Sequence, residues 1–140
     1  MKKIFVFACT LLTILSVSAQ IIPQPTTESY SGGTFTITDK SCLVYSPIVR
    51  SQAMYLLEYL PFKQILSSSK VMNGDIELGI NRYIAPEGYR LTVDSNNIRI
   101  IGGDAAGVFN GIQTLLQILP AEIYSGKCKF PLSIPCCVIE

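Results

Sequence analysis

Two carboxylates, Asp75 and Glu77, stand two residues apart in a stretch where apolar and polar residues alternate. On a β-strand, that spacing places both side chains on the same face. Paired carboxylates can do general acid–base chemistry when they face each other across a cleft. Acidic residues on a strand are more often exposed to solvent than catalytic, and we favour a solvated strand face. We therefore assign no catalytic role to this pair.

The sequence contains no histidine, which is the usual general base in nucleophilic catalysis and a common metal ligand. Ser29, Ser31 and Ser41 therefore have no imidazole to activate a hydroxyl group. The cysteines match no zinc pattern, since they form no C-x-x-C pair. We expect no catalytic residue, no bound metal and no cofactor.

The start of one predicted helix, Gly102-Gly103-Asp104, is a second place where a ligand could bind. Backbone N–H groups at a helix start can hold an anion. The Asp104 carboxylate would occupy and repel that same site, so we favour a tight turn that Asp104 caps.

Aromatic side chains are the third possible binding feature, because their rings can stack on sugars. The tyrosines are scattered along the sequence, and tryptophan is absent. We expect them at core edges and interfaces, where a ring with a polar tip is well placed. The seven are Tyr30, Tyr45, Tyr55, Tyr59, Tyr83, Tyr89 and Tyr124.

The element that must position these residues is clearest in the middle of the chain. Residues 89–93 alternate apolar and polar side chains, and residues 98–100 do so again. Residues 94–97 between them are short and polar, which is typical of a turn. The three stretches together predict a β-hairpin with one apolar face.

An amphipathic helix follows the hairpin, capped by Asp104 and ended by Pro120. Its apolar residues recur at steps of three and four, which predicts one wide apolar stripe. Gly107 and Gly111 each weaken such a helix by about 1 kcal/mol relative to alanine. We interpret them as sites where the helix approaches the sheet or another surface closely.

The remaining patterns predict a strand, a helix and a further strand before the hairpin, and a loop and a strand start after the second helix. Residues 62–66 are ambiguous, and one interpretation continues the first helix past a kink. The order indicates an α+β fold: a mostly antiparallel β-sheet with two α-helices packed on one face. The ranges are 35–43 with a break at 39–40, 46–61, 76–80, 121–135 and 137–139.

Residues 1–19 have the pattern of a secretory signal peptide. Lys2-Lys3 precede an apolar run from Ile4 to Val17, and small residues end at Ala19. The run is shorter than the roughly 20 residues of a membrane span, and an uncleaved anchor is the alternative. We expect an exported protein, periplasmic or secreted, with no membrane span after cleavage and one domain at residues 20–140.

Composition excludes two other classes of protein. Apolar residues make up 49% of the chain, which is too many for a disordered tail. Removal of the signal peptide leaves nine basic against ten acidic residues, a formal charge of −1. No basic patch is visible, so we expect no nucleic-acid partner.

Four cysteines lie beyond the signal peptide, and an exported protein can form disulfides. Cys136 and Cys137 are adjacent, so on a strand at most one of them faces the core. We favour buried free thiols over a bridge from Cys128 to Cys136 or Cys137. Cys42 has no assigned partner.

The hairpin and second helix resemble the N-terminal domain of bacterial β-N-acetylhexosaminidases, glycoside hydrolase family 20. The similarity extends over essentially the whole chain after the signal peptide, and residues 107–117 are its most specific part. The matching stretches are 87–91 (EGYRL), 98–100 (IRI), 107–111 (GVFNG) and 113–117 (QTLLQ), with weaker matches at 22–25 and 134–135.

This resemblance implies a domain that precedes a catalytic (β/α) barrel cleaving terminal N-acetylhexosamine from glycans. In that family an adjacent Asp-Glu pair in the barrel works with the acetamido group of the substrate. No adjacent Asp-Glu pair occurs in this sequence, and the apolar ending at Glu140 is typical of a boundary within a longer protein. We therefore expect a non-catalytic domain whose partner is the absent barrel. The alternatives are a stand-alone glycan-binding module and a protein-interaction module.

Overall fold

Seven strands and two α-helices make up residues 20–140, the part of the chain that the computed structural model describes. The predicted signal peptide, residues 1–19, lies outside the described residues. Short 3-10 turns precede the first helix at Pro47–Val49 and follow the second at Ala121–Ser125. The strands are β1 (Glu28–Ile37), β2 (Cys42–Tyr45), β3 (Gln64–Ser67), β4 (Ile76–Ile80), β5 (Tyr89–Val93), β6 (Ile98–Gly102) and β7 (Leu132–Ile139), and the helices are α1 (Arg50–Leu57) and α2 (Ala105–Ile118).

The strands form a single sheet in the order β1-β7-β5-β6-β4-β2-β3. The pairs β1/β7, β7/β5 and β5/β6 are antiparallel, whereas β6/β4, β4/β2 and β2/β3 are parallel. Antiparallel pairing covers more residues than parallel pairing, so the predicted mostly antiparallel α+β fold is confirmed. Helix α1 is the crossover between the parallel neighbours β2 and β3, which a two-residue turn could not join.

The predicted hairpin is formed by β5 and β6, with Leu91 opposite Ile100. Asp94 closes its turn, because the carboxylate accepts hydrogen bonds from the backbone N–H groups of Asn96 and Asn97 at 2.7 and 2.9 Å. The alternation predicted from the sequence follows the burial of β6, where Ile98 and Ile100 are buried and Arg99 is exposed.

Helix α2 lies on the side of the hairpin that carries Leu91 and Ile100. Two glycines of the helix, Gly107 and Gly111, allow it to pack closely against the sheet and the loop before β5. A methyl group on Gly107 would overlap the carbonyl oxygen of Gly88. A methyl group on Gly111 would lie 2.5 Å from Cγ2 of Ile100 and 3.2 Å from the ring of Tyr89. The close approach predicted from these glycines is therefore confirmed, and its target is this domain's own sheet and loop.

The core lies between the sheet and the two helices. It is built from alternate residues of the strands and from the inner sides of the helices, as the period-two and helical patterns require. Helix α1 packs against β2 and α2, and α2 packs against β4, β5 and β6. Large side chains buried completely include Ile37, Leu43, Leu56, Ile76, Leu78, Leu91, Ile100, Ile112, Leu115 and Ile134.

The interpretation of residues 62–66 as a helix continuation is wrong. Residues 64–67 form β3, an edge strand that pairs in parallel with β2. All four of its residues are exposed, so it lacks the alternating burial that would have marked a strand. Backbone pairing with β2, which is distant in sequence, determines that β3 is a strand, and the side chains of residues 64–67 give no local signal for it.

The interpretation of residues 121–135 as loop-like chain is wrong at its end, because β7 already begins at Leu132. Pro135 argued against a strand, since proline cannot donate a ladder hydrogen bond. In the structure, Pro135 pairs with Thr34 of β1, while β5 pairs with β7 only from Cys137 onward. One edge of β7 is therefore free at Pro135, and the missing N–H group disrupts no pairing there.

The four described cysteines are free thiols, as we favoured. Cys137 belongs to the main core, and Cys136 is buried outside it near Gly33. Burial, with the neighbouring Cys136 and Glu28, raises the pKa of Cys137 to about 11. Burial and the nearby Asp75 also raise the pKa of Cys42. These thiols therefore stay protonated at neutral pH and are poor nucleophiles.

Candidate functional site

Four aromatic side chains lie in a line across the outer side of the helices. The ring centroids of Phe109 and Tyr55 are 5.1 Å apart, those of Tyr55 and Tyr59 are 5.4 Å apart, and those of Tyr59 and Tyr124 are 5.7 Å apart. We call Phe109, Tyr55, Tyr59 and Tyr124 the aromatic row. These distances are those of favourable aromatic pairs.

Helix geometry and hydrogen bonds fix the aromatic row in place. Tyr55 and Tyr59 are four residues apart, so they lie next to each other on one side of α1 and the turn that follows it. Their hydroxyl groups are 3.1 Å apart, and Gln113 of α2 donates to the Tyr55 hydroxyl at 3.0 Å. Tyr124 donates to the carbonyl oxygen of Leu116 at 3.1 Å. The bond to Tyr55 raises the pKa of the Tyr59 hydroxyl, which therefore stays protonated at neutral pH.

Two members of the aromatic row are exposed, and the other two, Tyr55 and Tyr59, are half-buried against the core. Phe109 is 40% exposed and Tyr124 is 57% exposed. Ile48, in the turn before α1, and Met54, on α1, are exposed on the same helical layer. Exposed apolar side chains that cluster in this way are a feature of interaction sites.

The geometry of the rings favours a protein surface over a sugar as the partner of the row. The ring planes of successive members meet at 48°, 65° and 77°. A sugar stacks on a flat ring face, and rings tilted this far do not form one continuous platform. Ridges of tilted rings instead suit the side chains of a packed protein interface.

Asp75 and Glu77 lie in different surroundings. Asp75 is 5% exposed, and its carboxylate accepts from the backbone N–H groups of Met72 at 2.7 Å and Cys42 at 3.2 Å. Glu77 lies on the sheet face away from the helices and pairs with Arg99 at 3.5 Å. The expectation of a solvated face holds for Glu77 and is wrong for Asp75, which ties β2 to the loop before β4.

The predicted capped turn at Gly102-Gly103-Asp104 is confirmed. The Asp104 carboxylate accepts from the N–H group of Gly107 at 2.8 Å, which is an N-cap bond. Its two oxygens also lie 3.2 Å from the N–H group of Glu87. The carboxylate thus occupies the position that an anion would need.

The serines and remaining tyrosines are dispersed. Ser41 is buried and its hydroxyl oxygen accepts from the N–H group of Thr38 at 3.1 Å, whereas Ser29 and Ser31 are exposed on β1. The Tyr89 hydroxyl bonds that of Thr114 at 2.6 Å at the edge of the core. Burial and the bond to Glu28 raise the pKa of Tyr30 to about 12. Tyr45 packs on the core, and Tyr83 is exposed at a loop tip.

Sequence reasoning included three members of the aromatic row among scattered tyrosines and placed Phe109 in the apolar stripe of α2. A usable signal was present. Val108 and Phe109 are adjacent and cannot face the same side of a helix, and Tyr55 and Tyr59 have the spacing of neighbours on one side. The contribution of Tyr124 depends on how the chain folds back after α2.

Among residues 20–140, no group of three or more histidine, cysteine, aspartate or glutamate side chains could hold a metal ion. Over the same residues, no helix is both long and apolar enough to cross a membrane. The fold and the aromatic row define a small α+β domain with partly exposed aromatic side chains on its helices.

Comparison with known proteins identifies the family of this domain. Residues 18–140 match the model of glycosyl hydrolase family 20, domain 2, and the chain belongs to that family. A β-hexosaminidase from Porphyromonas gingivalis is 32% identical over an alignment that covers 82% of this chain. The chain spans only 16% of the length of that relative.

Solved structures agree with this assignment. The GH20 β-N-acetylhexosaminidase from Streptomyces coelicolor A3(2) is 26% identical with a TM-score of 0.74. The N-acetyl-β-hexosaminidase from Streptomyces plicatus is 25% identical with a TM-score of 0.77. Each alignment covers 87% of this chain but 26% of the other, so the shared fold is one part of a larger enzyme.

Proposed function

We propose that this chain is the non-catalytic N-terminal domain of an exported β-N-acetylhexosaminidase and that its aromatic row seats the catalytic barrel of the parent enzyme. The single observation that carries this proposal is the aromatic row, an apolar surface on a domain whose relatives are several times longer. The role is structural support, because covering the row removes apolar surface from water.

The row has the properties of the centre of an interface. Tyrosine and phenylalanine are enriched in interface cores, and tyrosine is frequent among the residues that dominate binding energy. The internal hydrogen bonds of Tyr55 and Tyr124 hold two of the rings before any partner arrives. A preformed surface loses less side-chain entropy on association than a mobile one.

The test uses the parent enzyme that contains this domain. Tyr59→Ala truncates the ring that contacts both Tyr55 and Tyr124, so it should loosen the seat of the barrel. We expect inactivation on heating to become at least about fivefold faster, because a cost of about 1 kcal/mol at an interface has that effect on a rate. The kcat/KM at low temperature should stay unchanged.

Tyr83→Ala is the matched control, because Tyr83 is 99% exposed and lies outside the aromatic row. It removes a ring of the same type without touching the proposed interface. Equal inactivation rates for wild type, Tyr59→Ala and Tyr83→Ala would show that the row does not seat the barrel.

Two further parts of the proposal have direct tests. The isolated chain should not release the chromophore from a chromogenic N-acetylglucosaminide, and turnover by pure chain would contradict its non-catalytic role. The coding sequence downstream of residue 140 should encode a barrel with an adjacent Asp-Glu pair. Mass spectrometry of exported protein should find a mature N-terminus at Gln20, and intact residues 1–19 would exclude a cleaved signal peptide.

A further inference from the structure

A groove lies between the lead-in to β1 and the loop before β5. Its volume is about 690 Å³, which is in the range of small-molecule sites. Pro23 and Pro25 line one side, and Ile84 and Ile101 add further apolar surface. Polar side chains of Asn81, Glu87, Arg90 and Glu140 complete the lining.

The backbone at Glu87 is held in a conformation that favours glycine. Its φ is +63°, in the left-handed region that other residues adopt at a cost. The N–H group of Glu87 donates to Asp104, and its carbonyl oxygen accepts from the side-chain amide of Asn110 at 3.0 Å. The cap of α2 thus fixes a strained residue at the edge of the groove.

The polar side chains of the groove keep hydrogen-bonding capacity free. Nε of Arg90 and the Glu140 carboxylate form an ion pair at 2.6 Å, and both side chains remain in contact with solvent. Within residues 20–140, neither the Nη atoms of Arg90 nor the Glu87 carboxylate makes a hydrogen bond, and both side chains are exposed. The Oδ1 atom of Asn81 accepts from the N–H group of Tyr83, and its Nδ2 atom is open as a donor.

From this geometry we infer that the groove is a binding site for a neutral oligosaccharide of β-linked N-acetylhexosamine. Sugar rings offer apolar faces for the proline and isoleucine surface, and their hydroxyl groups both donate and accept. The groove presents donors on Arg90 and Asn81 and an acceptor on Glu87. Two carboxylates against one guanidinium leave it slightly negative, which disfavours phosphate and carboxylate ligands. The choice of this sugar class rests on the proposed function.

The test is an NMR titration of the full chain with N,N′-diacetylchitobiose up to millimolar concentration. We expect backbone amide shifts to concentrate at Asn81, Gly88 and Ile101, with no cluster at the aromatic row. The absence of shifts at millimolar sugar would overturn the groove proposal and leave the seating role of the row untouched.

Glu87→Gly is the sharpest variant, because glycine suits a φ of +63° and the change removes the side chain with its carboxylate while the backbone keeps its conformation. We expect thermal stability to be equal or higher and the dissociation constant to rise at least fivefold. Tyr124→Ala, on the row, is the matched control and should leave sugar binding unchanged. Unchanged affinity in Glu87→Gly, or weakened binding only in Tyr124→Ala, would overturn the site.

Discussion

The two broad surfaces of this domain, one formed by the helices and one by the sheet, differ in the side chains that they expose. The outer side of the helices presents the aromatic row, in which Phe109 and Tyr124 are exposed. The opposite face of the sheet presents charged side chains that pair with one another, Arg99 with Glu77 and Arg90 with Glu140. We call these surfaces the helical face and the open sheet face.

The difference shows what each surface needs from outside the domain. The open sheet face carries charged side chains in ion pairs that remain in contact with solvent, so it needs no covering partner. The helical face gains free energy only when its rings leave water. The helical face depends on the close packing of α2 against the sheet. A glycine-to-alanine change on each side of the sheet therefore tests whether packing is tighter on the helical side.

The largest effect should come from Gly107→Ala, on the inner side of α2. Alanine would favour the helix by about 1 kcal/mol, but its methyl group would overlap the backbone oxygen of Gly88. Overpacking against backbone costs up to about 3 kcal/mol. We expect the free energy of unfolding, measured by urea denaturation, to fall by about 2 kcal/mol.

Gly79→Ala is the matched change on the open sheet face. Its methyl group would lie 3.1 Å from Cδ1 of Ile101, the flexible end of a side chain that can move. We expect a change of less than about 0.5 kcal/mol. If both variants lost the same stability, the helix would not be the tightly packed side, and the contrast between the two faces would fail.

An intermediate effect is expected from Asp104→Ala. This change removes the N-cap bond to Gly107 and the contacts with the N–H group of Glu87. Loss of an N-cap costs about 1 kcal/mol, and the added contacts with the loop place this variant at about 1.5 kcal/mol, between the two glycine variants. Asp104→Asn keeps an acceptor oxygen and should recover most of the stability in the same denaturation experiment. Equal losses for the two variants would rule out the capping role.

The parts of this fold that could be predicted from sequence have short-range causes. The hairpin depends on alternation and on a turn of Asp and Asn, and the start of α2 depends on one carboxylate. Gly107 and Gly111 indicated close packing because glycine in a helix interior needs a reason.

The parts that could not be predicted depend on distant pairing. Edge strand β3 has four exposed residues and takes its structure from β2. Strand β7 tolerates Pro135 only because β5 pairs farther along. The aromatic row needs α1, α2 and the following turn to meet, which no local pattern encodes. The polar groups of the groove likewise come from the lead-in, a loop and the ends of two strands.

The smallest effect should come from Glu77→Gln on the open sheet face, where Glu77 and Arg99 occupy opposite positions on β4 and β6. Their charged groups are 3.5 Å apart, but both side chains remain in contact with solvent. Water screens such a pair, so its coupling is below about 0.5 kcal/mol. A double-mutant cycle of Glu77→Gln and Arg99→Gln should measure that coupling at low salt and find it reduced in 1 M NaCl, where the screening length is about 3 Å. A coupling above 1 kcal/mol that persisted in high salt would mean that the open sheet face is not a solvated surface, and the asymmetry between the two faces would need another explanation.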